Sequence, residues 1–180
     1  MHMNIYHQIR WLLLSTLLTA SLTAQSHGKE HVKEGLSKEE YSDIESVALR
    51  EISTSDHGVC LNDYREKDAA ISILGQAPGT NHVNILIQLL SYTNPQTGDA
   101  PAIAALTEKG RSVVPSLKTY VQKASNTNNM NSIFHAGLAL EAILGSEEYF
   151  GYLYSIADII DRDVLQMLFL RSAGIGYERK

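Results

Sequence analysis

The sequence predicts an all-α fold: a short α-solenoid of about three antiparallel helix pairs, with flanking cap helices. Three observations lead there. Apolar residues recur at steps of three and four through most of the chain after Ser37, the spacing of a helix with one buried face. Apolar stretches halt at Gly75, Gly110 and Gly145, an interval of 35 residues, within the range of repeated helix pairs that stack on one another. The one run that could be a strand by composition, His82 to Tyr92, has no second candidate to pair with.

Residues 1–24 stand apart from that pattern. A start with one fixed charge, Arg10, leads into the apolar run Trp11 to Leu22 and closes on small residues through Ala24. This is the form of a secretory signal peptide, cleaved after Ala24 or Ala20. The run is shorter than the roughly 20 apolar residues of a membrane span, so no membrane association is expected after cleavage. Residues 25–36, QSHGKEHVKEGL, are polar and glycine-bearing, a flexible leader. The repeat domain is expected over 37–173, with a frayed tail over 174–180.

Each element has its local reason. Ser37 and Glu40 form a capping box, and Tyr41, Ile44, Val47, Ala48 and Ile52 continue one stripe, so a helix is expected from Lys38 to Ser53. Another starts at Asp63 and halts at Gly75. Val83 to Tyr92 is apolar on nearly all sides, which predicts a buried helix. After the Asn94–Gly98 break, Asp99 is expected to cap a helix with Pro101 in its first turn, where the missing N–H costs nothing. Gly110 turns the chain, Ser112 is expected to cap the next helix, and Val114, Leu117 and Val121 supply its stripe. Ser125 to Asn131 reads as a loop. The helix from Ser132 stops at Gly145, a following helix carries Tyr149, Tyr152, Leu153, Ile156 and Ile160, and a last one spans Val164 to Leu170.

The stretch PAIAALTEKGRSVVPSLKTYV, Pro101 to Val121, resembles a HEAT-type helical repeat of the armadillo-like group. Ala102, Ala105 and Leu106 match its first helix, Gly110 its turn, and Val114, Pro115 and Leu117 the start of its second. Asp63 to Tyr92 and Ser132 to Asp161 match more weakly, without a proline at the place of Pro115. The resemblance implies a right-handed stack of helix pairs whose second helices line a concave, protein-binding surface.

Charge and chemistry narrow the function. The chain carries a net charge of −5, which becomes −6 without Arg10, and its Lys and Arg form no stripe, so nucleic acid is not an expected partner. Cys60 is the one cysteine and reads as a small core residue; no internal disulfide can form. With no Asn-x-Ser/Thr acceptor after residue 24, a periplasmic destination is favoured over a secreted one. His27 and His31, four apart with Glu30 and Glu34 between, would offer metal ligands on a helix, but the flanking glycines favour a solvated leader; no metal or cofactor is expected. His57 and His135 are the candidates for a small hydrolase or metal-dependent enzyme, which requires histidines and a carboxylate to converge. No nucleophile elbow, HExxH or P-loop is present.

The expectation is therefore an exported, non-catalytic helical-repeat protein acting as a protein-binding or scaffold module, of which an inhibitor or immunity protein is one form. Lys118 and Gln122, exposed on the helix after Gly110, and Tyr149 and Tyr152 are the candidate interface residues, tyrosine being a good interface anchor, with core packing the competing role for at least two of Tyr149, Tyr152 and Tyr154.

Overall fold

A computed structural model describes residues 36–52, 61–124 and 129–172. The expected all-α class is what they show: eight α-helices, two short 3-10 segments, and no strand among the described residues. The helices are α1 (Lys38–Leu49), α2 (Leu61–Gln76), α3 (Val83–Gln88), α4 (Pro101–Glu108), α5 (Val114–Ala124), α6 (Met130–Leu144), α7 (Ser146–Ser155) and α8 (Arg162–Ser172). The 3-10 segments Leu89–Ser91 and Gly110–Val113 extend α3 and lead into α5.

Helix starts follow the caps the sequence offers, with exceptions. Ser37 Oγ accepts from the Glu40 amide at 3.2 Å while the Glu40 carboxylate accepts from the Ser37 amide at 2.7 Å, completing the capping box of α1. Asp99 is not the cap of α4: Ala100 holds that position, and Asp99 is drawn into its loop, its carbonyl accepting from the Asn94 amide. Ser112 does not cap α5 either. The 3-10 turn runs straight into the helix, so no orphan amides await a cap, and Ser112 Oγ donates back to the Lys109 carbonyl. Asn129 caps α6 through the Ser132 amide, and Asp161 Oδ1 accepts from the amides of Asp163 and Val164 at the start of α8.

Helix ends depart further from expectation. α1 stops at Leu49, short of Ser53, because Arg50 turns to an extended backbone and offers its carbonyl to Lys67 Nζ on α2 at 2.9 Å. α7 stops at Ser155, and a turn carries Ile156 and Ile160 back into the core. Gly110 and Gly145 do end helices, with φ of +64° and +79°, a region that favours glycine. Gly75 does not, and its expected role as a stop is corrected: α2 runs through it to Gln76. A Cβ on Gly75 would lie 2.7 Å from the Cβ of Ala105, so the glycine lets α2 and α4 approach closely. Ala105 is the small residue that meets it.

Packing follows a skip-one rule. α1 lies on α2, and α2, α4, α6 and α8 each pack on the next of that series. α3 packs on α5, and α5 reaches α7 through the Tyr152 hydroxyl, which donates to the Lys118 carbonyl at 3.2 Å. Contacts of α3 with α4, α5 with α6, and α7 with both α6 and α8 tie the two rows together. One continuous apolar core results, from Ala48 to Leu168, with Leu74, Leu86, Leu106, Leu117 and Leu140 fully buried. The second row, α3, α5 and α7, leaves one side of α5 facing solvent.

Candidate binding surface

The four expected interface residues divide. Tyr149 is 1% exposed and Tyr152 6%, both within the core, so neither is an exposed interface anchor. The helix period explains it: three apart on α7, the two tyrosines share the face that turns inward, while Tyr154 points out and is 73% exposed. Lys118 and Gln122 are half-buried on α5. Lys118 Nζ stands 4.8 Å from the centre of the Tyr152 ring, a cation–π contact that joins α5 to α7.

The solvent side of α5 is set by Pro115, Ser116, Thr119 and Lys123, all exposed. Steps of three and four place them together, opposite the buried Leu117 and Val121. Beside them lies α3, whose apolar composition buries Val83, Leu86 and Ile87 and leaves Asn84 outward. Between the two helices is a solvent-open groove of about 390 Å³, lined by Asn84 and Ile87 from α3 and by Pro115, Ser116, Thr119, Tyr120 and Lys123 from α5. Neither helix carries an acidic residue, and from Lys109 to Leu140 the chain has four bases and no carboxylate. Three of those bases are committed. Lys109 Nζ donates to the carbonyls of Ala77 and Gly79, Arg111 pairs with Glu148 at 2.8 Å, and Lys118 lies over Tyr152. Lys123 stands exposed at the groove.

A second polar cluster sits between α2 and the loop after α3. The Asp68 carboxylate accepts from the Tyr92 hydroxyl at 3.0 Å and from Asn94 Nδ2 at 2.6 Å, and Asn94 Oδ1 accepts from the Gln96 amide. Lys67 Nζ lies 4.6 Å from the centre of the Tyr92 ring. Burial, helped by the neighbouring Arg50 charge, lowers the Lys67 ammonium from its ordinary value; burial first and Asp68 second push the Tyr92 phenol up. The two bonds to Asp68 hold the 92–100 loop against α2 and the Lys67 ammonium is given to the Arg50 carbonyl, which gives the cluster a structural role. Burial likewise lowers Lys109 and raises Tyr152.

The histidines are placed separately. His135 Nδ1 is 2.6 Å from the Leu90 carbonyl, and so donates to it, fixing α6 to the end of α3. His82, buried at the start of α3, has its Nδ1 2.7 Å from Glu45 Oε1 and its ring against Tyr41 of α1. Among the described residues, no group of three His, Cys, Asp or Glu side chains could hold a metal ion. His27, His31, His57 and Cys60 lie outside those residues, as do the expected signal peptide, the leader up to residue 35, and the tail. Among the described residues, no helix is long and apolar enough to cross a membrane.

The sequence places the exposed side of this helix, α5, around Lys118 and Gln122, which are half-buried; the exposed side is one step round, at Pro115, Ser116, Thr119 and Lys123, and the groove beside it was not foreseen. The signal was present in the pairing of an uncharged, nearly all-apolar α3 with a proline-started α5 one repeat later. The chain matches no protein family, no curated protein and no solved structure.

Proposed function

We propose that this protein is an exported, non-catalytic helical-repeat module of HEAT-like character, acting in the periplasm, that binds another protein through the face made by α3 and α5. The groove between those helices carries the reading. In a stack of helix pairs, the second helices form the surface left over after the core is built, and extended surfaces of that kind are what repeat proteins present to partners. Its lining mixes an apolar floor with hydroxyl, amide and ammonium groups, the make-up of an interface with an apolar centre and polar rim. The polar groups with displaced ionisation, Lys67, Tyr92, Lys109 and Tyr152, are engaged in fold contacts, so they lend no support to a catalytic role.

The test is affinity capture from periplasmic extract with the chain lacking residues 1–24, beside a Thr119→Trp variant that fills the groove. A partner retained by the wild type and lost by the variant is the expected result. Retention unchanged by the variant would move the binding face elsewhere. Export itself is checked by the mass of the protein isolated from cells, expected to begin after Ala24 or Ala20.

A further inference from the structure

We infer that the α3–α5 groove takes an acidic peptide segment of its partner, with one apolar side chain set on the Ile87, Pro115 and Tyr120 floor and a carboxylate against Lys123. The inference rests on the groove being the binding face and adds what kind of ligand that face selects.

With a net charge of −5, the protein as a whole repels an acidic partner, yet the two helices that form the groove carry no carboxylate, and none occurs from Lys109 to Leu140. An acidic segment is therefore disfavoured over much of the surface and admitted here, which gives specificity through repulsion elsewhere as well as attraction at the site. Lys123 is exposed at the groove, whereas Lys109, Arg111 and Lys118 hold contacts of the fold. Arg111 is neutralised by Glu148, so the uncompensated charge on α5 itself is that of Lys118 and Lys123. A volume of about 390 Å³ admits one or two side chains, which fits a short segment better than a broad folded face. Anionic membrane surfaces, in contrast, are held by clusters of several free lysines and arginines on a protruding face. Here one exposed lysine serves the groove.

The experiment is fluorescence anisotropy with the full chain lacking residues 1–24 and three labelled probes. These are a short peptide alternating Leu and Tyr with Asp and Glu, the same peptide with Asn and Gln for the acids, and the same with Lys. Vesicles containing phosphatidylglycerol are assayed in parallel by co-sedimentation. Saturable binding of the acidic probe alone, weakened by salt, is expected. Lys123→Glu should weaken it by about fivefold at low salt, with Lys123→Arg retaining it. A lysine that merely complemented the negative end of α5 would alter stability and leave binding unchanged. Equal binding of the neutral and acidic probes, no binding of the acidic probe, indifference to Lys123→Glu, or binding to vesicles in place of peptide would each overturn the inference. Thr119→Trp separates this failure from that of the wider reading: a partner lost on Thr119→Trp and retained on Lys123→Glu keeps the groove as the interface and removes the acidic ligand.

Discussion

Gly75 and Gly151 are both helical glycines, and alanine should move stability in opposite directions at the two. At Gly75 the new Cβ would lie 2.7 Å from the Ala105 Cβ and 2.8 Å from its Cα, so backbone must shift, at a cost of about 1–3 kcal/mol. At Gly151, exposed in α7, nothing lies within 4 Å, and the gain in helix propensity is about 0.5–1 kcal/mol. Urea midpoints of the two variants check both signs. Two buried phenols set the alkaline behaviour. Burial raises Tyr152, and burial with the Asp68 hydrogen bond raises Tyr92, above their ordinary value of 10.0. Such a group keeps its proton in the fold while the unfolded chain releases it. The stability it contributes is fully present below pH 10.0 and is lost as pH rises from there through the folded value. Lys67 and Lys109 are lowered from 10.5 and act with the opposite sign, adding stability as pH rises toward that value. Tyr152→Phe should therefore lose less stability than the wild type above pH 10.0, measured by urea unfolding on either side of that point.

At the scale of elements, the boundaries set by a local cap or glycine were legible and those set by distant partners were not. Ser37, Pro101 and Gly145 act within a few residues of themselves, so local sequence suffices to find them. Ser37→Ala should cost about 1 kcal/mol and loosen α1 first, visible as faster amide exchange in α1 than in α6. The ends of α1 and α7 depend on partners far along the chain. Arg50 leaves the helix to meet Lys67, and Ile156 and Ile160 leave it to reach the core. Gly75 was misread for the same reason. In sequence it looks like Gly110 and Gly145, and what distinguishes it is Ala105, 30 residues away, pressed against α2. The Asp68, Tyr92 and Asn94 network was likewise out of reach, since three scattered polar residues announce nothing until the loop closes on α2.

Across the whole molecule, the skip-one packing of α2, α4, α6 and α8 builds the core and frees the outer side of α5 from any part in it. The apolar periodicity predicted the all-α class because burying one face of each helix is a demand every helix states in its own residues. Which outer face serves a partner is not stated in that way. Tyrosine content pointed to α7, where Tyr149 and Tyr152 proved to be core; the surface they help support, through Tyr152 beneath Lys118, adjoins the groove on α5. The claim that this groove is the working face is tested most directly by a photo-cross-linking amino acid placed singly at Thr119 and, for comparison, at Tyr154, with the full chain produced in its own cells. The account predicts a discrete protein adduct from Thr119 and none from Tyr154. Adducts from Tyr154 alone, or from neither position, would contradict it.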